Sequence, residues 1–175
     1  PRAADELGAK FDHVLVDEYQ DTNRIQAGIL ARLRQKNRNI MVVGDDAQSI
    51  YSFRSATVRN MLDFPGEFPG TTVVTLDQNY RSLQPILETT NRVIAQAHER
   101  CSKDLWATRG DGQRPRLLTC GDESDEDDEV IRLVLEHYEQ GIPLRRQAVL
   151  FRAASHSTSL ELALTRRNIP FRKYG

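Results

Sequence analysis

Three apolar residues, Val14-Leu15-Val16, run straight into Asp17-Glu18-Tyr19-Gln20-Asp21-Thr22-Asn23, and this junction constrains the fold more than any other stretch. A short unbroken apolar run suits a strand buried on both faces of a parallel sheet. In open α/β sheets, ligands bind beyond the carboxyl ends of the strands, which is where Asp17 and Glu18 fall. One carboxylate of such a pair can hold Mg2+, and its neighbour can orient or deprotonate a water. Taken alone, the same two residues equally start a turn and cap the following helix, so the pair needs support from elsewhere in the chain.

The flanking pattern supplies a strand–helix–strand unit. Residues 1–10 read as a frayed or helical lead-in. A helix is expected from about Asn23 to Lys36, with Ile25, Ile29, Leu30 and Leu33 as its apolar stripe and Thr22 or Asn23 as N-cap. Its basic end, Arg32, Arg34, Lys36 and Arg38, pairs favourably with the helix dipole. Ile40-Met41-Val42-Val43 is a second buried strand and leads into Gly44-Asp45-Asp46-Ala47-Gln48-Ser49-Ile50-Tyr51-Ser52-Phe53-Arg54-Ser55-Ala56. A short helical piece from about Thr57 to Phe64 is expected to be ended by Pro65-Gly66 and Pro69-Gly70. A third strand, Thr72–Leu76, then runs into Asp77-Gln78-Asn79-Tyr80-Arg81-Ser82.

Beyond Ser82, Leu83, Ile86, Leu87, Val93, Ile94 and Ala97 mark an amphipathic helix. A polar loop at Arg109-Gly110-Asp111-Gly112 precedes a strand near Arg116–Cys120. A helix over 124–139 is closed by Gly141 and Pro143. A strand at Ala148–Phe151, a helix over 155–167 and a strand near Phe171–Tyr174 complete the chain. Asp122–Glu129 is acidic at every position except Ser124; without EF-hand spacing it reads as a solvated helix start rather than a metal loop.

Composition excludes some classes and leaves others open. The 175 residues are 39% hydrophobic and 28% charged, which suits one ordinary globular domain or two small ones. No apolar run approaches the roughly 20 residues of a membrane span, and no secretory h-region opens the chain. The net charge of −1 does not announce a nucleic-acid binder, although a groove can be basic while the whole is neutral. Cys101 and Cys120 read as reduced thiols in a cytoplasm. His98 and Cys101 have no second pair to complete a zinc site, and His13, His137 and His156 stand apart from any nucleophile.

Three constellations in order carry a resemblance. Asp-Glu-Tyr-Gln-Asp-Thr-Asn at 17–23 resembles motif II of the UvrD/Rep/PcrA group of superfamily 1 DNA helicases. Residues 44–56 resemble that group's motif III, and Asn79-Tyr80-Arg81-Ser82 matches its motif IV. The resemblance implies that Asp17 holds Mg2+ through its water shell and Glu18 polarises the attacking water. Gln20 and Asp21 would link the site to neighbouring loops, and Gln48 would sense the γ-phosphate of ATP. Tyr51 and Phe53 would stack on bases of single-stranded DNA, with Arg54 pairing to DNA phosphate or an internal carboxylate. Tyr80 would stack on adenine and Arg81 would act as an arginine finger. Ser55 departs from the family's usual Gly, which puts local backbone freedom in question. Lys103-Asp104-Leu105-Trp106, Val149-Leu150-Phe151-Arg152 and Asn168-Ile169-Pro170-Phe171 also resemble segments of the family's second motor domain.

The implied architecture is α/β: a RecA-like parallel sheet with flanking helices, in parts of two P-loop-NTPase-type motor domains. The boundary is placed near 77, so that 1–77 is the later part of the first motor domain and 78–175 the first part of the second. Residues 171–175 resemble the start of the 2B insertion. No G-x-x-x-x-G-K-[ST] occurs in the sequence. The chain is therefore expected to be an internal piece that hydrolyses no ATP alone and needs the remainder of its parent: the Walker A part, 2B and the end of the second motor domain. The implied parent is an ATP-dependent 3′–5′ helicase acting on single strands and duplex junctions in repair or replication. Two rivals stay open: a RecB/AddA-like helicase–nuclease subunit, and a non-catalytic helicase-like binding module. An uncovered sheet edge also makes a dimer of the piece a reasonable expectation.

Overall fold

The computed structural model describes residues 2–101, 103–110 and 112–174. Pro1, Gly175 and Asp111, which belong to the expected lead-in, final segment and polar loop, lie outside the described residues, as does Ser102. The chain divides into two compact units, residues 1–115 and 116–175. It is a mixed α/β protein with a small parallel sheet.

In the first unit, α1 (Arg2–Gly8) leads into β1 (Val14–Val16). The crossover helix is α2 (Arg24–Leu33), and β2 (Ile40–Val42) lies parallel to β1, with Leu15 opposite Met41; both of these side chains are exposed, so the strands are not buried on both faces as expected. Asn23 is the N-cap. Its Oδ1 accepts from the Gln26 backbone N–H at 2.9 Å, and its own N–H donates to Gln26 Oε1 at 2.9 Å. This capping box satisfies two otherwise orphan donors and contributes about 1 kcal/mol.

Arg34 ends α2 differently from the dipole reading. Its side chain is buried, and its guanidinium donates to the carbonyls of Phe11 at 2.9 Å and Asn37 at 3.5 Å. The arginine thus ties together the segments before β1 and before β2. Of the expected basic cluster, Lys36 forms an exposed ion pair with Asp5 in α1.

The core of this unit is Tyr19, Ala27, Phe64 and Phe68, with Val16, Leu30, Ile40, Val42 and Met61 packed against it. Tyr19 meets Phe64 edge-on at 5.6 Å, and Phe64 stacks on Phe68 at 4.6 Å. Such pairs are each worth roughly 0.5–1.5 kcal/mol beyond area burial. Pro65 does not stop a helix here. After α3 (Arg59–Leu62) it sits in the first turn of α4 (Phe64–Glu67), where its missing N–H costs nothing.

The expected strand Thr72–Leu76 does not form; Val73, Val74 and Leu76 are exposed, and among the described residues these positions have no ladder partner. Just beyond it, the Trp106 N–H donates to Asp77 O at 3.0 Å and the Asn79 N–H to Trp106 O at 2.7 Å. α5 (Gln84–Ile94) follows, burying Pro85 and Leu87 but leaving Val93 exposed.

The second unit is helical. α6 (Glu123–Glu139) starts at Asp122, whose Oδ1 accepts from the Asp125 N–H at 2.9 Å, so the acidic run is a helix start as expected. α6 packs on α7 (Thr158–Arg166) through Ile131, Leu160 and Leu164. The strands expected near 116–120, 148–151 and 171–174 are absent, with Leu117 and Leu150 each over 90% exposed. Apolar patterning marks segments able to pair, but a strand exists only when a second backbone supplies its hydrogen bonds. Among the described residues these segments have none.

Candidate functional site

Backbone pairing continues past both strands and brings two of the sequence constellations together. The Val43 N–H donates to Val16 O at 2.8 Å and the Tyr19 N–H to Val43 O at 2.9 Å. Residues 17–20 therefore lie beside residues 44–46, beyond the carboxyl ends of β1 and β2.

At this edge Glu18 adopts a left-handed backbone, φ 49° and ψ 43°, a conformation that costs a non-glycine residue roughly 1–2 kcal/mol. Asp17 Oδ1 accepts from the Glu18 N–H at 2.9 Å. Both acidic side chains are exposed. The next two residues are the opposite: Tyr19 and Gln20 are essentially inaccessible. Gln20 Nε2 donates to Glu18 Oε2 at 2.7 Å, while Gln20 Oε1 accepts from the Asp45 N–H at 3.0 Å. Gly44 makes room for that amide, since a Cβ there would stand 2.7 Å from Gln20 Oε1 and 3.1 Å from Met61 Sδ.

Asp45 is the hub of the second constellation. It caps a short turn over Asp46–Gln48 by accepting from the Ala47 N–H at 3.0 Å, and it accepts from Gln48 Nε2 at 2.8 Å. Lys103 donates its ammonium to Asp45, and to Asp46 Oδ1 at 2.8 Å. The Cys101 N–H donates to Asp46 Oδ2 at 2.7 Å. Burial favours protonation of Asp45, yet the hydrogen bonds from Lys103 and Gln48 and the lysine's charge hold its pKa below the ordinary carboxylate value. Burial likewise works against the Lys103 charge, but the two carboxylates keep its pKa above that of a free lysine. The Cys101 thiol is pushed up by burial and then by Asp46, which leaves it a poor nucleophile. Sequence reading placed Lys103 only in a segment of family resemblance; its role as partner of Asp45 and Asp46 is set by tertiary structure.

Tyr51 and Phe53 form a tilted pair with ring centroids 5.7 Å apart. The Arg54 guanidinium lies over both, 5.3 and 5.5 Å from the centroids. Phe53 is 75% exposed, so this ring is a surface platform and not core packing. Ser55 closes the turn in the left-handed region at φ 64°, the conformation for which glycine is suited.

In the third constellation, Asn79 Oδ1 accepts from the N–H groups of Arg81 at 2.9 Å and Ser82 at 2.7 Å, forming an Asx turn. Arg109 donates to Arg81 O at 2.8 Å. Tyr80 is exposed, its hydroxyl donating to Gln78 Oε1 at 2.8 Å. Among the described residues, no hydrogen bond or ion pair joins Tyr80 or Arg81 to Asp17, Glu18 or Gln48. Nor does any cluster of three metal-ligating side chains occur among them. None of the described helices is long and apolar enough to cross a membrane.

Comparison with known proteins places the chain in a family. Residues 1–69 match the UvrD/REP helicase N-terminal domain and residues 74–175 the UvrD-like helicase C-terminal domain. The ATP-dependent DNA helicases PcrA of Staphylococcus aureus and Staphylococcus epidermidis are each 37% identical to this chain over 166 residues, 95% of its length. The chain spans 23% of those relatives. With both domain models matched in order, this chain belongs to the UvrD/Rep family of helicases.

Proposed function

We propose that this chain carries part of the ATP-hydrolysing and DNA-contacting machinery of an ATP-dependent helicase that moves 3′ to 5′ on single-stranded DNA, in repair or replication. The observation that carries the reading is the buried Gln20 bridge. It joins the exposed Glu18 carboxylate to Asp45, and Asp45 in turn holds Gln48. In this reading, 1–77 is the later part of a first RecA-like motor domain and 78–175 the first part of a second. The family's setting makes the protein cytoplasmic, with duplex junctions and the remaining helicase segments as its partners. The outer edges of the β1–β2 pair make a dimer of residues 1–175 a further part of the reading, which sedimentation as a monomer at high concentration would refute.

The donor set suits Mg2+ with ATP. Asp17 keeps Oδ2 without a partner among the described residues, and a single carboxylate is enough for an ion that retains waters and takes phosphate oxygens. Bound Mg2+ would neutralise charge developing on the phosphates. Glu18 keeps Oε1 to accept a proton from, or orient, a water, while Gln20 fixes the other oxygen. Gln48 keeps one amide N–H beyond the one given to Asp45, enough to report a γ-phosphate oxygen. Tyr80 offers an exposed ring for adenine, and Arg81 an exposed guanidinium able to reach a phosphate when domains close. Tyr51, Phe53 and Arg54 offer a stacking surface with a positive charge, which binds bases without regard to sequence.

The test uses the complete gene product containing these residues. Glu18→Gln is expected to reduce DNA-stimulated ATP hydrolysis at least 100-fold, in line with loss of general-base assistance, while ATP and DNA still bind. Phe53→Ala is expected to weaken single-strand binding by roughly 5- to 150-fold, the equivalent of about 1–3 kcal/mol of stacking. Undiminished hydrolysis by Glu18→Gln would refute the reading. Residues 1–175 alone are expected to show no turnover.

A further inference from the structure

Lys103 lies far along the chain from Gln48, yet it holds the same carboxylate. We propose that Lys103 is a positioning residue for Gln48, fixing the Asp45–Asp46 pair and coupling it to the segment that carries Tyr80 and Arg81. The proposal rests on the function inferred above and adds a residue to it.

Three observations carry it. Asp45 accepts from both Lys103 and Gln48, so the amide's orientation depends on where Lys103 holds that carboxylate. The pair is a built one. The side chain of Asp46 is 3% exposed and that of Lys103 12%, whereas in the ion pairs among the described residues that do not involve Lys103 every side chain is at least 27% exposed. Removing one partner of a nearly buried pair leaves an uncompensated charge, so the loop has a strong reason to follow the lysine. Finally, the chain continues from Lys103 to Trp106, whose backbone exchanges hydrogen bonds with Asp77 and Asn79. Asn79 then shapes the turn at Arg81 through its own Oδ1. A physical connection thus runs from Gln48 through Asp45 and Lys103 to Trp106, Asn79 and Arg81.

The experiment is a double-mutant cycle on DNA-stimulated ATP hydrolysis by the complete gene product, with Lys103→Met, Gln48→Ala and the double variant. Lys103→Met is expected to lower kcat about tenfold with less than a threefold change in KM for ATP, and Lys103→Arg to recover much of the loss. In the Gln48→Ala background, Lys103→Met is expected to cost less than a further twofold, because the group it positions is gone. Multiplying losses would show a role independent of Gln48 and overturn the proposal. So would wild-type turnover in Lys103→Met. Should Lys103→Met fail to fold, Asp45→Asn takes its place in the cycle, with the same non-multiplying outcome expected and the same multiplying outcome overturning it. Impaired Gln48→Ala beside unimpaired Lys103→Met would leave the sensor reading standing and remove this proposal alone. Full activity of Gln48→Ala would remove both.

Discussion

Gln20 Nε2 donates to Glu18 Oε2 at 2.7 Å from a side chain that solvent does not reach. A buried amide therefore holds an exposed carboxylate, and the residue that carries this carboxylate, Glu18, has a left-handed backbone. The strain at Glu18 persists because its surroundings over-determine it: Tyr19 is locked into the aromatic core, and the other end of Gln20 is held by the Asp45 N–H.

Replacing Gln20 by Leu keeps bulk in the site but removes both hydrogen bonds. The Asp45 N–H loses its acceptor, at a cost of about 1–3 kcal/mol for a polar group left unpaired. Urea denaturation of residues 1–175 is expected to show a lower midpoint with an unchanged slope. A midpoint equal to that of the wild type would mean that the bridge contributes nothing to stability.

Ser55 occupies a left-handed conformation at φ 64°. Relief of that strain in Ser55→Gly, roughly 1–2 kcal/mol, is partly offset by the greater freedom glycine has in the unfolded chain, about 0.5–1 kcal/mol. The net expectation is stabilisation of up to about 1.5 kcal/mol, read as a raised denaturation midpoint. A lowered midpoint would show that the Ser55 side chain contributes more than its backbone costs.

The Lys103–Asp45 pair sets a pH dependence with a definite sign. Asp45 has a depressed pKa in the folded state, so its contribution is present above the unfolded value of about 3.9 and is lost as pH falls through the folded value. Lys103 has a raised pKa, so its contribution is complete below about 10.4 and is lost as pH rises through the folded value. Denaturation midpoints of wild type and Lys103→Met, measured across pH, should differ most on the neutral plateau and converge in acid and in strong alkali. A difference independent of pH would assign the effect to packing of the lysine stem.

Residues adjacent in the chain determined much of this protein by themselves. Val14–Val16 and Ile40–Val42 are strands because their apolar runs bracket a crossover helix, and that helix starts at Asn23 because a short polar side chain three residues before Gln26 can exchange hydrogen bonds with it. The acidic segment beginning at Asp122 starts a helix for the same local reason, with carboxylates placed where orphan N–H groups and the dipole favour them. The family was equally legible in the motifs at 17–23, 44–56 and 79–82, because a motif is written in residue type and order.

Tertiary structure alone decided what the neighbours of those residues would be. Whether an apolar segment becomes a strand depends on a second backbone, and 72–76, 116–120 and 148–151 find none among the described residues. Arg34 reads as a surface cation at a helix end, yet it is buried, with its guanidinium held by the carbonyl of Phe11, far back in the chain, and by that of nearby Asn37. The resemblance gave Gln20 a linking role, but no neighbouring residue tells that Gln20 or Lys103 has Asp45 as its partner. Each acts through Asp45, a residue far away in sequence and brought near only when β1 and β2 pair and the segment before Trp106 closes over the loop. Local hydrogen bonding and periodicity are properties of neighbouring residues, whereas burial and ion pairing belong to groups that folding brings together.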